Sequence, residues 1–534
     1  SMCGIAGLIE APGVVVDDAT LRSMGDALAH RGPDEGSTFR GDPLRGLGHV
    51  GLAHRRLSIL DHEGGKQPMS DGHVVVCFNG QIYNHLALRR RLIGDGARFV
   101  SDHSDTEALL HAMRTWGARD VVDACARFSG MFAFAAVDLD RRVLVLARDA
   151  MGKKPLYVAT SGFFDDGKAR IAFASELVAL ERLPHASKRI DAHALARYFA
   201  FDFVSDPDCI YEGVVKLPPG HVVEIKLDDP ATWSKRALLD RARSFRDLSF
   251  RRATPASTHE GRVVQLRDAI EAAVETRMVA DVPVGIFLSG GIDSSLVATL
   301  AAKRSTKVET FSIAFREESF DESKYARVVA DRIGSQHHEQ LLDERALLDV
   351  LPKLARHLSE PFADHSVVPT HLLSAFARKS VTVALGGDGG DELFLGYPTF
   401  VAEAARPRLL DLVARSRRAS SGFSALVDVA QRAAAMLPVD HSNFSLDFKI
   451  QRTLDGVAER RPLRRHQMFL TGATDERVRA LLSKDARAQL GDDDVLAVLD
   501  AYEASAKNAG ARDVFDVLQY GYAKTYLAAG VLQK

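Results

Sequence analysis

The stretch Val284-Gly-Ile-Phe-Leu-Ser-Gly-Gly-Ile-Asp-Ser-Ser295 sets two adjacent glycines, three hydroxyls and a carboxylate between an apolar run and the start of a helix. That set suits pyrophosphate. Gly290 and Gly291 let the backbone turn tightly toward an anion, and amides opening a helix from Ser294 to about Lys303 point at its charge. Ser289, Ser294 and Ser295 add hydroxyl donors. The loop is not of the Walker type, because no Gly-Lys-Ser/Thr follows four variable residues. A second loop, Gly386-Gly-Asp-Gly-Gly-Asp-Glu392, follows the apolar run 381–385. If the two loops face each other, Asp293 and Asp391 can share a Mg²⁺ that bridges phosphate oxygens.

The elements that must carry these loops are legible in outline. Residues 307–315 read as a strand reached from the first apolar run through one helix, which makes a βαβ crossover of a parallel sheet. A helix over 321–333 and a strand over 337–342 follow. Ligands of such sheets bind at the carboxyl ends of the strands, where Ser289 and Ala314 fall. Earlier, residues 74–78, 131–137 and 143–147 read as strands punctuated by Gly, Asp and Asn, so the N-terminal half is expected to be antiparallel. The fold class is α/β. Residues 3–227 are expected to form one domain, the charged stretch 228–260 a connector, and 261–534 a second domain. Helical periodicity recurs over 408–437 and 514–532, and Tyr520, Tyr522 and Tyr526 on the latter are expected in a core.

Composition bounds the function. A chain of 534 residues is too long for one ordinary core, and its 46% hydrophobic content supports large ones. A net charge of −2 offers no general attraction to nucleic acid or to an anionic membrane. No apolar run reaches the roughly 18 residues that span a bilayer. The four cysteines, Cys3, Cys77, Cys125 and Cys209, have neither CxxC spacing nor a disulfide pattern, which suits a reducing cytoplasm. Zinc is not expected, since the 19 histidines include no HExxH. The expected partners are small molecules, and the sequence leaves room for a homodimer.

At Ser289-Gly-Gly-Ile-Asp-Ser-Ser295, Phe311-Ser-Ile-Ala-Phe315 and Gly387-Asp-Gly-Gly-Asp-Glu-Leu-Phe394 the chain resembles the synthetase domain of glutamine-dependent asparagine synthetases. The resemblance implies a doubly wound, parallel-sheet ATP-pyrophosphatase domain of the adenine nucleotide alpha-hydrolase kind. It also implies ATP as substrate, cleaved between the α and β phosphates, with Leu288, Ile313, Gly386 and Gly387 lining the nucleotide pocket and Asp388 handling a proton during amide formation. A second set of motifs runs Cys3-Gly-Ile-Ala-Gly7, His30-Arg-Gly-Pro-Asp34, Leu52 to Ile59, Phe78-Asn-Gly-Gln-Ile-Tyr-Asn84 and Ser104-Asp-Thr-Glu107. In this order they are similar to a class II glutamine amidotransferase, an N-terminal-nucleophile (Ntn) hydrolase with an αββα sandwich of antiparallel sheets. A thiol attacking the amide carbon of glutamine needs a base, and a chain-terminal amine with a pKa of about 7.7 to 8 is suitably poised. The resemblance gives Cys3 the nucleophile's role, Asn79 and Gly80 the oxyanion hole, and Arg56 and Asp105 the carboxylate and amine of glutamine.

The chain departs from that pattern twice. Ser1 and Met2 precede Cys3, so its nitrogen is an amide; removal of these two residues would free the amine, and without it the chain is expected to lack glutaminase activity while still using ammonia. At the other end, Tyr526 to Lys534 resembles the run up to a phosphate-contacting lysine, Lys534, whereas the family continues through a segment with Asp-Arg and Glu-x-Arg patterns, so the synthetase domain is expected to lack its usual end. The implied reaction is amidation of an acyl-adenylate by glutamine-derived ammonia passing through the domain interface, with aspartate as the default acceptor. The loop Glu360-Pro-Phe-Ala-Asp-His-Ser-Val-Val-Pro-Thr370 lacks the arginine of well-known asparagine synthetases, and it resembles loops of family members that amidate sugar uronic acids in surface-polysaccharide pathways, so these are the alternative acceptors that the resemblance implies. The non-enzymatic alternative is a binding or regulatory protein that keeps the fold.

Overall fold

The computed structural model describes residues 3–250, 258–305, 307–417, 456 and 459–533. Among these, the N-terminal strands are β1 (Gly4–Ile9), β2 (Glu35–Arg40), β3 (Val50–Arg56), β4 (Met69–Ser70), β5 (Val74–Ile82) and β6 (Gly130–Asp138). They continue with β7 (Val143–Arg148), β8 (Tyr157–Ala159), β9 (Ile171–Ala174), β10 (Val214–Lys216), β11 (His221–Lys226) and β12 (Arg243–Ser244). One sheet is ordered β10-β8-β9-β1-β3-β2 and the other β12-β11-β7-β6-β5-β4. The pairings within both are antiparallel, as the Gly- and Asp-punctuated alternation implies.

The period-2 alternation of these strands builds two cores at once. On β5, Val75 and Cys77 meet Ile5 and Leu52 of the facing sheet, while Val76 and Phe78 turn to an outer layer. On β6, Ala133 and Ala135 face inward and Phe132 and Phe134 outward. Each buried phenylalanine contributes about 1.5–3 kcal/mol. The helix Asp18–Ala27 covers the first sheet through Leu21 and Met24, and the helix Asp105–Ala112 covers the second through Leu109 and Leu110. The result is the four-layer αββα sandwich.

Within 228–260, expected as a connector, the described residues 230–244 hold regular elements. Trp233 is fully buried in the core between the sheets and donates Nε1–H to Lys226 O at 2.9 Å. The helix Lys235–Arg241 follows, and β12 then pairs with β11.

The C-terminal half contains β13 (Val284–Phe287), β14 (Glu309–Phe315), β15 (Gln336–Leu342) and β16 (Val383–Leu385), a parallel sheet ordered β15-β14-β13-β16. Helices His259–Arg277, Ile292–Ala302 and Ser323–Ile333 cover one face through Val274, Ala298 and Ala326. The helix Val367–Ala377 covers the other, packing Phe376 and Ala377 on Phe311. Because β13 and β16 are neighbours, the two glycine-rich loops leave the sheet side by side.

Further helices, among them Pro462–Thr471, Ala497–Asn508 and Val514–Tyr522, pack against the helix Ala192–Phe201 of the N-terminal half. Tyr520 and Tyr522 are buried there, and Tyr526 packs beside them. The helical run expected from 514 continues past Tyr522 in wider π turns to Gly530 and ends in a 3₁₀ turn, Val531–Gln533. The periodicity that begins at 408 lies in the helix Pro398–Arg417, and its remainder to 437 falls outside the described residues. No described helix is long and apolar enough to cross a membrane.

Candidate functional site

Cys3 lies at the foot of β1, on the wall of a cavity of about 550 Å³ that Arg56, Asn79, Gly80, Asp105 and Lys154 also line. Sγ accepts from Leu57 N at 3.4 Å and lies 3.6 Å from Leu57 O. The Cys3 carbonyl accepts from Arg31 Nε at 3.1 Å, and Arg31 Nη1 is held by Glu176 at 2.5 Å. Thus Arg31 of the His-Arg-Gly-Pro-Asp motif fixes the backbone of Cys3, a contact the motif alone did not announce. Burial pushes the Cys3 thiol up, against the Leu57 bond and the charges of Lys154 and Arg56, which pull it down. Burial and the charge of Arg31 bring the Lys154 ammonium down to about 7.

Asn79 is fully buried, and neither side-chain atom has a hydrogen-bond partner among the described residues. An unsatisfied amide on a cavity wall is a donor awaiting an acceptor. Gly80, next on β5, has φ +154°, and a Cβ there would lie 2.1 Å from Met131 O on β6, so only glycine lets the strands approach at this point. His54, which burial lowers to about 4, is neutral at pH 7 and donates Nε2–H to Phe78 O at 3.1 Å, steadying the strand just before Asn79.

Arg56 and Asp105 stand on the same cavity, at the end of β3 and the start of the helix capped by Ser104. Arg56 donates Nη2 to Asp61 O and Nη1 to His62 O, both at 2.7 Å, and meets Glu35 at 3.3 Å. Asp105 accepts from Ile82 N at 3.0 Å, and burial raises its carboxyl to about 6.

The second cavity, about 1020 Å³, opens at the carboxyl ends of β13 and β16. Leu288, Ser289, Gly291, Asp293 and Ser294 line it from one loop, and Gly386, Gly387, Asp388 and Asp391 from the other, with Ile313 of β14 between. Ser289 and Ser294 hydroxyls bond each other at 3.0 Å, and Gly291 N donates to Ser289 Oγ at 3.3 Å, so the hydroxyls are already gathered. The loops meet closely: a Cβ on Gly387 would lie 2.8 Å from the backbone Ser294 N, and one on Gly390 2.3 Å from the side-chain Asp293 Cγ. Burial and the neighbouring charge of Asp293 raise the Asp391 carboxyl.

Two expected nucleotide residues stand apart from the lining. Gly290, at φ +87°, packs on the helix Ser323–Ile333, where a Cβ would lie 2.5 Å from Tyr325 Cβ, so it serves loop packing. Ser295, on the helix Ile292–Ala302, has a buried hydroxyl without a partner among the described residues and is not among the residues that line the cavity. Lys534 lies outside the described residues; Val531, shortly before it, does line the cavity.

Sequence reasoning missed the pair Glu392 and Tyr397. Both line the second cavity; Glu392 is buried, its carboxyl raised by that burial, and it accepts from Tyr397 OH at 2.7 Å. It also missed Phe287 and Ser374, which line both cavities. Nothing in their types marks them, since a strand phenylalanine and a helical serine are ordinary residues.

Fold and cavities define a two-part protein, an αββα sandwich with a cysteine on its cavity wall joined to a parallel-sheet half with paired glycine-rich loops. Comparison with known families agrees: residues 2–234 match the glutamine amidotransferase domain and residues 265–534 match asparagine synthase. The chain belongs to the asparagine synthase family. Its relatives include asparagine synthetase [glutamine-hydrolyzing] 1 of Bacillus subtilis, 35% identical over 74% of this chain and 59% of that protein. A putative asparagine synthetase of Mycobacterium tuberculosis is 35% identical over 79% of this chain and 64% of its own length. A third, from Methanocaldococcus jannaschii, is 33% identical over 74% of this chain and 76% of its own. The match thus spans about three fifths of the length of the first two.

Proposed function

We propose that the protein is an ATP-dependent glutamine amidotransferase that amidates a carboxylate, aspartate by default. The observation that carries this reading is that the Cys3 cavity and the nucleotide-loop cavity share Phe287 and Ser374 as lining residues. A nitrogen released at one can reach the other without a long path.

In the first cavity, Cys3 Sγ attacks the amide carbon of glutamine once its own amine is free to take the proton. The amine requires loss of Ser1 and Met2. Asn79 Nδ2 and the Gly80 amide receive the developing oxyanion, which would satisfy the donor left open on Asn79. Arg56 and Asp105 orient the carboxylate and ammonium ends.

In the second cavity, the acceptor carboxylate attacks the α-phosphate of ATP, giving an acyl-adenylate and pyrophosphate, and ammonia then displaces AMP. Ser289, Gly291 and Ser294 cradle the pyrophosphate at the start of the helix Ile292–Ala302. Asp388 takes a proton from the attacking ammonia. The neighbouring carboxylates of Asp293 and Asp391, where burial and the charge of Asp293 raise the Asp391 carboxyl, suit Mg²⁺, which would take its other ligands from phosphate and water. When bound, the ion would neutralise phosphate charge. Lys534 is proposed as a further phosphate ligand.

The test is release of AMP and pyrophosphate from ATP by the chain beginning at Cys3, with glutamine or ammonia, across aspartate and uronic acid sugars. Stimulation by aspartate supports the default acceptor, stimulation by uronic acids alone reassigns it, and no stimulation by any carboxylate favours a non-enzymatic binder.

A further inference from the structure

Residues 279–281 join the helix His259–Arg277 to β13 and so belong to the C-terminal half, yet they are bonded to the wall of the Cys3 cavity. Gln81 Nε2 donates to Val279 O at 2.8 Å, and Asp281 N donates to Ile59 O at 3.1 Å. Asp281 Oδ2 accepts from Asp61 N at 2.9 Å and lies 2.9 Å from His103 Nε2. Ile59 and Gln81 line the cavity with Cys3.

The point of attachment is a tight turn. Asp61 is left-handed, φ 45°, a conformation uncommon outside glycine that aspartate tolerates and that its surroundings hold here. Four bonds do so: its amide to Asp281, its carbonyl from Arg56 Nη2 at 2.7 Å and from Gly65 N at 3.0 Å, and its Oδ1 from Gly64 N at 2.8 Å. Arg56, Gly64 and Gly65 belong to the N-terminal half; of these partners Asp281 alone comes from the other. The same Asp61 bond occupies Arg56, so the turn also sets where that guanidinium stands.

We propose that Asp281 is a positioning residue for glutamine hydrolysis at Cys3, its carboxylate holding residues 59–64 in the turn that shapes the cavity wall. The proposal rests on the amide-hydrolysis reading of that cavity. It makes the N-terminal site complete only when the C-terminal half is docked on it.

The experiment uses the full chain beginning at Cys3, with Asp281→Ala and Asp281→Asn. Glutamate release gives KM and kcat for glutamine, pyrophosphate release with ammonia reads the other cavity, and hydrogen exchange reads the amides of 58–65. Asp281→Ala, which removes the acceptor of Asp61 N together with the partner of His103, is expected to raise the glutamine KM about tenfold, with a smaller change in kcat. Ammonia-dependent turnover stays within about twofold and exchange over 58–65 rises. Asp281→Asn, which keeps an oxygen for Asp61 N, recovers most of the KM. Unchanged KM and exchange in Asp281→Ala overturn the proposal, as does an equal fall of glutamine- and ammonia-dependent rates, which would make Asp281 a general docking residue. A parent chain that releases no glutamate overturns the underlying reading, and the parent alone reveals that case.

Discussion

The amide of Ile82 donates to Asp105 Oδ2 at 3.0 Å, and this single strand-to-helix bond is made to a carboxyl that is nearly inaccessible to water. Burial outweighs the bond and raises the group from 3.8 to about 6, a strain on its charged form of about 3 kcal/mol. A raised acid pKa means that its contribution to stability is complete below 3.8 and is lost as pH rises through about 6. Asp105→Asn, which keeps an acceptor for Ile82, is therefore expected to melt higher than the parent at pH 8 and no higher at pH 4. Its glutamine KM should rise by about a hundredfold, as for a lost buried ion pair. In the parent, kcat/KM for glutamine should fall as pH drops through about 6, because the protonated carboxyl cannot pair with an ammonium. Calorimetry at the two pH values and a pH profile check both halves.

Asn79→Ala separates catalysis from stability. With no bond to lose, the variant should change unfolding free energy by less than about 1 kcal/mol, while glutamine kcat falls by about 10²- to 10³-fold. Thermal melts beside glutamate release decide it; a large loss of stability would mean that the amide has a structural partner.

Asp293→Asn should abolish pyrophosphate release and leave glutamate release largely intact, since Asp293 lines only the second cavity. Full synthetase turnover in this variant would remove Asp293 from the phosphate site.

Cys3→Ala should do the reverse, ending glutamine-dependent product formation and sparing the ammonia-dependent reaction. Loss of both activities in a folded variant would mean that the sites are not separable.

Ser374→Phe places a ring where the two cavities meet. Glutamate release and ammonia-dependent amidation should both persist, whereas product formed per glutamine hydrolysed should fall. Label from amide-¹⁵N glutamine, followed into product against unlabelled ammonium, measures the transfer.

Local chemistry is legible in the sequence to the extent that it depends on near neighbours. Asn79, Gly80, Ser289 and Asp293 are expected from short motifs, strand alternation and glycine's freedom, and they stand on the cavity walls. What the sequence could not disclose depends on sheet order. That β13 and β16 are adjacent, and that Gly387 must therefore be bare beside Ser294, follows from packing between segments almost a hundred residues apart. Gly290 illustrates the same limit: its glycine is demanded by Tyr325 on a later helix, a contact that no motif encodes. Trp233 likewise sits in a charged, linker-like stretch and yet completes the N-terminal core.

The helix Val367–Ala377 reaches both cavities, with Pro369 and Thr370 on the nucleotide side and His371 and Ala377 on the side of Cys3. The protein is thus not modular in the sense that a designer would want. On the proposed function, the segment 360–370, where a new acceptor preference would be grafted, runs into a rod whose far end forms part of the room where nitrogen would be released. A graft that rolls this helix by a fraction of a turn would retune both chambers, so any change of acceptor will have to be selected together with the economy of glutamine use.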